Sequence, residues 1–292
     1  MIDDFLIVLD RRAEACIRLY DRRTGARVGV FGRRGAGPGE FEGAWDLFRD
    51  ARARTFWVLD VSLRRVTALY LDSLLLGKGY RGGDVVVLNG QGSIESMRLL
   101  GGDRFVSTGA YSGGRIGVHT MGGAFIGTVG SVRAGKSEWS AAVRQDAFAA
   151  RLTTDDAAGT LLLAYRWTDR LEVLSTTGAL LASMDRLFGY DPVISSKSSQ
   201  RAAFTLDSRR SYLSTVATTS NIFALYSGRT ERAFGPANVF GRDVVVFARS
   251  GRLERILRLD ADVIAIASDP TGRILYGLSH DPEPRIIKFA IP

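Results

Sequence analysis

Short apolar runs punctuated by Gly, Asp and Arg pervade the chain. "FLIVLD" (5–10), "ACIRLYD" (15–21), "TFWVLD" (55–60), "TLLLAY" (160–165), "DVVVFA" (243–248) and "RIIKFAI" (285–291) are rich in β-branched, aromatic and leucine side chains. Such residues suit a buried pleated surface. Several of the intervening turns place glycine where a hairpin needs positive φ: "DRRTGARV" (21–28), "HTMGGAFI" (119–126), "LSTTGALL" (174–181) and "FARSGRLE" (247–254). No apolar stretch of helical period runs beyond about two turns, so the chain is predicted to be nearly all β.

The pattern repeats. "FLIVLD" returns as "TFWVLD", and Leu19-Tyr20 returns as Leu69-Tyr70, both 50 residues on. The glycine-rich "FGRRGAGPGEF" (31–41) returns 98 residues later as "VGSVRAGKSEW" (129–139). In that register Gly37 matches Gly135, Glu40 matches Glu138 and Phe41 matches Trp139. A period near 49 with an echo at twice that spacing marks a blade-type repeat. Six units follow, at about 1–36, 37–84, 85–135, 136–188, 189–260 and 261–292. A four-stranded sheet repeated in this way predicts an all-β, six-bladed β-propeller of antiparallel blades around a central channel, in one domain over 1–292. The segment 227–243 is expected to insert between two strands of the fifth unit. The first unit shows three strands, and its innermost one is expected to be missing, along with a short leader.

"FGRRGAGPGEF" followed by "VLDVSLRRVTALYLD" (58–72) resembles the blade junctions of NHL-like and TolB-like propellers. "NIFALYSGR" (221–229), "DVVVFARSGRLERILRLD" (243–260) and "RILYGLSHDPEPRIIKFAI" (273–291) are similar to the closing blades of the bacterial TolB-like six-bladed family. The resemblance implies the propeller fold and a periplasmic or cell-surface location. It implies no particular activity, and the chain carries no export signal. "MIDDFLIVLD" has acids around its apolar core and no basic region before it.

The glycine-rich stretch raises the question of a phosphate loop. A Walker loop needs Lys and a hydroxyl after its last glycine, and here Pro38 and Gly39 follow Gly37. A dinucleotide fingerprint needs a following helix, and "EFEGAWDLFRD" (40–50) reads as strand and turn. The junction reading is preferred: Gly37, Pro38, Gly39, Glu40 and Phe41, with Glu138 and Trp139 in the second copy, carry the chain from one blade to the next. Pro38 and Gly39 suit the central positions of a type II turn.

Composition narrows the chemistry. The 292 residues are 46% apolar, and no run is long enough to span a membrane. Cys16 is the only cysteine, so no intrachain disulfide forms. His119 and His280 are the only histidines and fall in different units. No paired-His metal site, cofactor motif or nucleophile elbow is legible, and no catalytic residue is assigned. The leading expectation is a noncatalytic, monomeric recognition module for a protein, peptide or glycan. A metal-dependent, lactonase-like hydrolase is one alternative.

The other alternative is binding of RNA or another anionic polymer, because the net charge is +8 and arginine supplies most of it. The arginines divide evenly between the two predicted faces, which disfavours a nucleic-acid surface. Arg33, Arg34, Arg65, Arg81, Arg166, Arg170 and Arg229 fall on the face of the blade-to-blade loops. Arg22, Arg23, Arg52, Arg104, Arg209, Arg210 and Arg249 fall on the other. A ligand is expected at the channel mouth on the first face, contacted by Tyr165, Arg166, Trp167, Asp169 and Arg170 of "AYRWTDR" (164–170), with Arg65 and Arg229.

Overall fold

The structure, a computed structural model, describes all residues except 51–52, 78–82, 91, 156–157, 185–186, 196–200 and 281–282. Arg52 and Arg81 therefore lie outside the described residues. The chain divides into two compact units, Met1–Ser112 with Ile116–Thr128, and Gly113–Arg115 with Val129–Pro292.

The first unit carries three antiparallel sheets. They are β1 (Phe5–Leu9), β2 (Ala15–Asp21) and β3 (Arg27–Arg33); β4 (Ala44–Arg49), β5 (Thr55–Asp60), β6 (Arg65–Tyr70) and β7 (Val85–Val87); and β8 (Ser93–Leu100), β9 (Arg104–Ala110), β10 (Ile116–Thr120) and β11 (Phe125–Val129). A short helix, α1 (Leu71–Leu75), follows β6 where the first, third, fourth and fifth blades make a glycine turn. The second unit opens on α2 (Ala141–Ala147). It then builds β12 (Ala150–Asp155), β13 (Thr160–Tyr165), β14 (Leu171–Ser175) and β15 (Leu180–Met184). A two-stranded ribbon, β16 (Ile194–Ser195) and β17 (Ala203–Phe204), precedes β18 (Tyr212–Ala217), β19 (Asn221–Tyr226), β20 (Gly241–Ala248) and β21 (Leu253–Val263). The last sheet is β22 (Ala265–Ser268), β23 (Ile274–Ser279) and β24 (Arg285–Ala290). Helix α3 (Glu231–Phe234) and a 3-10 turn (Gly235–Val239) fill the insertion between β19 and β20. Within each blade sheet the strands pair in chain order, as short connections require. The fold is a six-bladed β-propeller.

The apolar runs follow from packing on both faces. Strand β5 is buried at every position. Its alternate side chains serve two different interfaces, because successive residues of a strand point to opposite faces. Phe56 and Val58 pack with Ile17 and Leu19 of the first blade. Trp57 and Leu59 pack with Met97, Leu99 and Phe105 of the third. The same division recurs in the second unit. Ile222, Ala224 and Tyr226 of β19 meet Leu162 and Val173, whereas Phe223 and Leu225 meet Ile266 and Leu275. A strand covered on both sides cannot show polar alternation, so it reads as a continuous apolar run.

The loop between the first two blades shows how a junction is held. Gly37 O accepts from Glu40 N at 3.1 Å and Gly39 has φ +72°, the geometry of a type II turn. The Glu40 carboxylate accepts from Gly37 N at 2.9 Å and from Arg33 Nε at 2.7 Å. Arg65 donates to the carbonyls of Ala36, Gly37 and Glu40 at 2.8, 3.2 and 2.7 Å. Its cross-strand partner Asp60 accepts from the N–H groups of Glu42, Gly43, Ser62 and Leu63. The loop thus turns carbonyls toward a cation, the reverse of a phosphate cradle, which presents N–H groups. Phe41 is 4% exposed and packs in the core between the two blades.

The second copy differs in detail. Trp139 N donates to Lys136 O at 3.1 Å, and the indole packs at 6.2 Å from Phe148. Glu138 is exposed and reaches only Ser137, so it does not brace its loop as Glu40 does. Truncating the anchor of the first copy, Phe41→Ala, is expected to cost about 3–5 kcal/mol in denaturant unfolding. A loss below about 1 kcal/mol would show that the ring is not an anchor.

Candidate functional site

Strands β13 and β14 form a hairpin whose turn, 166–170, is closed by Tyr165 N donating to Arg170 O at 3.1 Å. Most of its polar groups are committed internally. The Tyr165 hydroxyl donates to Glu172 at 2.8 Å, and this buried carboxylate also receives Arg115 at 2.6 Å and Arg133. Asp169, fully buried, accepts from the N–H groups of Phe188 and of Gly189, the latter at 2.7 Å. Arg170 approaches Asp191 at 3.6 Å, and Thr168 Oγ1 donates to Tyr190 O at 3.0 Å. The turn therefore grips segment 188–191, the junction that leaves its own blade. Arg229 binds Ala237 O at 3.2 Å and Asp262 at 2.6 Å, which ties down the insertion. Burial raises the Asp262 pKa, but hydrogen bonds from Arg229 and Arg242 outweigh it and hold the carboxyl below its ordinary value. Arg65 belongs to the other unit and braces the junction described above.

Arg166 and Trp167 sit differently. The Arg166 backbone is fixed on both sides, by Ala149 O at 2.9 Å and Ser211 N at 2.9 Å. Trp167 stacks on Phe204 with ring centroids 3.8 Å apart and an interplanar angle of 18°. The Arg210 guanidinium lies 4.0 Å from the indole centroid and that of Arg166 lies 6.0 Å from it. Arg210 is half-buried. Its guanidinium makes no hydrogen bond or ion pair with the described residues, and its Nε is buried without a partner. Burial first, and the neighbouring Arg166 second, push its pKa down to about 10 against the opposing pull of Glu231, so the group stays charged at neutral pH. A desolvated guanidinium beside a tryptophan, with a second cation near it, has the chemistry to receive a planar anion.

Arg210 corrects the assignment of arginines to faces. "LDSRRSYLS" (206–214) reads from sequence as the first hairpin turn of the fifth blade, which sets Arg209 and Arg210 apart from Arg166 and Arg229. In the structure, residues 206–210 precede the first strand of that blade, β18. They form its entry junction: Arg210 N donates to Arg229 O at 2.8 Å and Ser211 N to Arg166 O. The cause is the ribbon β16–β17, which lengthens the unit before its first strand and shifts the count of turns. Phe204 escapes sequence reading for the same reason.

A second recess lies in the first unit. Asn89, Gly90, Tyr111, Ser112, Ala124 and Phe125 line a cleft of about 390 Å³. Beneath it, Ser107 Oγ is 3.0 Å from His119 Nε2 and 2.5 Å from the Tyr111 hydroxyl. The spacing resembles a nucleophile and its base, but Ser107 and His119 are both buried and His119 Nδ1 has no partner to orient the ring. The trio is a core hydrogen-bond chain. Among the described residues no three His, Cys, Asp or Glu side chains group to hold a metal ion.

No protein-family profile matches the chain. No curated protein matches it either. Solved structures share its fold. A functionally unknown protein from Desulfotomaculum acetoxidans aligns with TM-score 0.54 and 12% identity, over 99% of this chain and 76% of that one. The β-propeller domain of a Myceliophteria thermophila protein gives 0.51 and 11%, over 100% and 99%. A candidate exported protein from Bacteroides fragilis gives 0.57 and 11%, over 95% and 77%. At these identities the likeness is one of fold alone. No helix among the described residues is long and apolar enough to cross a membrane.

His119 supplies a test of the buried chain. Burial, then the charge of Arg64, push its pKa down to about 4. Folding thus favours neutral His119. Its contribution is complete above the ordinary histidine pKa, about 6.5, and is lost as pH falls from there toward about 4, where the unfolded chain alone takes up the proton. His119→Gln should flatten the fall of Tm between pH 7 and pH 4.5, followed by circular dichroism. An unchanged slope would place the histidine in a wetter setting.

Proposed function

We propose that the chain is a noncatalytic recognition propeller that binds a protein, peptide or glycan partner through an anionic group on the Arg166–Trp167–Arg210 face. The observation that carries this reading is Arg210. A half-buried guanidinium with no hydrogen bond or ion pair among the described residues loses hydration with little compensation. An incoming carboxylate would supply the missing acceptors in a bidentate pair, and arginine with tryptophan is the chemistry of binding hot spots. Phe204 holds the indole flat, and the Arg166 backbone is fixed by two hydrogen bonds, so little ordering is needed on binding. The resemblance of the junctions and closing blades to TolB-like propellers supports an exported, periplasmic or surface-exposed setting, and so does the structural neighbour from Bacteroides fragilis described as a candidate exported protein.

Three polymers test the reading by fluorescence titration at ~50 mM salt, where charge contacts are strongest. They are poly-L-glutamate, the uronic acid glycan alginate, and poly-uridylate RNA. At least one carboxylate polymer should bind, and Arg210→Ala should weaken it tenfold or more with unchanged Tm. Binding to RNA alone, or affinities indifferent to Arg210→Ala, would overturn the proposal.

A further inference from the structure

We infer that the partner presented to this face is an acidic peptide segment that carries a large apolar side chain three or four residues from its acid; this rests on the reading of Arg210 as an anion receptor. The inference comes from what lies along the strip beside Arg210. Residues 206–210 run antiparallel to 228–232: Gly228 N donates to Arg210 O at 2.9 Å, Arg209 bridges Thr230, and Arg232 N donates to Leu206 O at 2.8 Å. Leu206 therefore lies at the end of the strip away from Arg210. It is 48% exposed, and Phe234, the last residue of α3, is 50% exposed.

Charge along the strip is mostly satisfied. Arg232 pairs with Asp207 at 2.8 Å, and Arg229 pairs with Asp262 at 2.6 Å. Arg210 makes no hydrogen bond or ion pair with the described residues, and Leu206 and Phe234 are exposed apolar groups, the Phe234 ring lying 4.9 Å from the Arg229 guanidinium. Four residues of extended chain span about 13 Å. A ligand that satisfies both ends thus needs one acid and one apolar side chain separated by three or four positions. A polyanion can reach Arg210 but leaves the apolar end uncovered. Asp207 and Glu231 lie along the strip, Glu231 close enough to act electrostatically on Arg210, so a run of phosphates or uronates would meet like charge. A glycan or nucleic acid also lacks the aliphatic side chain that Leu206 and Phe234 would cover.

A displayed library of random dodecapeptides, selected on the full chain and counter-selected on Arg210→Ala, tests this. Enriched sequences should carry Asp or Glu with Leu, Ile, Met or Phe three or four residues away. Synthetic copies should bind the parent protein at least tenfold more tightly than Arg210→Ala, and tenfold more tightly than the Leu206→Ser, Phe234→Ser double variant. Both substituted sites are exposed, and matching melting temperatures confirm the fold. Acidic peptides indifferent to the double variant would remove the apolar subsite and leave the anion receptor standing. Neutral or basic peptides lost on Arg210→Ala would overturn the acidic motif. Peptides that ignore Arg210→Ala would overturn both readings.

Discussion

The junction between blades depends on one cross-strand pair, Asp60 opposite Arg65 at the end of the β5–β6 hairpin. A propeller must bring the chain from the outer strand of one blade to the inner strand of the next without a regular ladder to satisfy the connecting backbone. Each unpaired buried peptide group would cost about 1–3 kcal/mol. Arg65 takes the carbonyls of 36, 37 and 40, and Asp60 takes the N–H groups of 42 and 43. One cation and one anion, held side by side by the sheet, thus clamp opposite polarities of the same loop. The second unit applies the same chemistry at other positions. Asp169 takes the N–H groups of 188 and 189, and Arg229 with Asp262 secures the insertion.

This constraint explains the glycines. A loop whose carbonyls converge on a guanidinium must reverse its peptide planes abruptly, and Gly39 at φ +72° allows the reversal after Pro38. Gly32, at φ +76°, sits where an added Cβ would meet the Phe41 ring at 3.0 Å and Cys16 Sγ at 3.1 Å. The glycines therefore serve both conformation and close approach of the anchor. The second copy keeps the aromatic anchor as Trp139 but not the role of the acid, since Glu138 stays in solvent. Similar sequence at a repeat junction preserves the packing more faithfully than the electrostatics.

The strands and the repeat were legible because they answer to burial. A middle strand buried on both faces, such as β5 or β13, has no choice but to be apolar, and six such strands at regular spacing define the blades. The candidate site was only partly legible. Trp167 and Arg166 stand out as a residue pair, whereas Asp169, Arg170, Arg65 and Arg229 look the same in sequence and spend their charge inside the fold. Whether an arginine braces a carbonyl or faces a partner depends on loops brought together across blades, and the spacing of residues within one unit does not carry that information. Arg210 was misplaced because the ribbon β16–β17 delayed the first strand of its blade.

The same reasoning changes what the net charge of +8 means. Arginine is used here as a loop fastener, because its planar, multi-donor head can take several carbonyls or a carboxylate at once. Arg65 holds three carbonyls, Arg64 holds those of Gly90 and Gly92, and Arg98 and Arg249 pair with Asp46 and Asp155 across different blades. Basic composition here reflects in part this fastening, so it is not by itself a sign of affinity for a polyanion. An informative cation is one that is half-buried and, among the described residues, left without a fastening task. At Arg210 the guanidinium rests on an indole instead of a carbonyl, with a second arginine and Glu231 near it. A fold that pairs its buried charges elsewhere has no structural need for that arrangement, which is the argument for reading it as a place for something from outside.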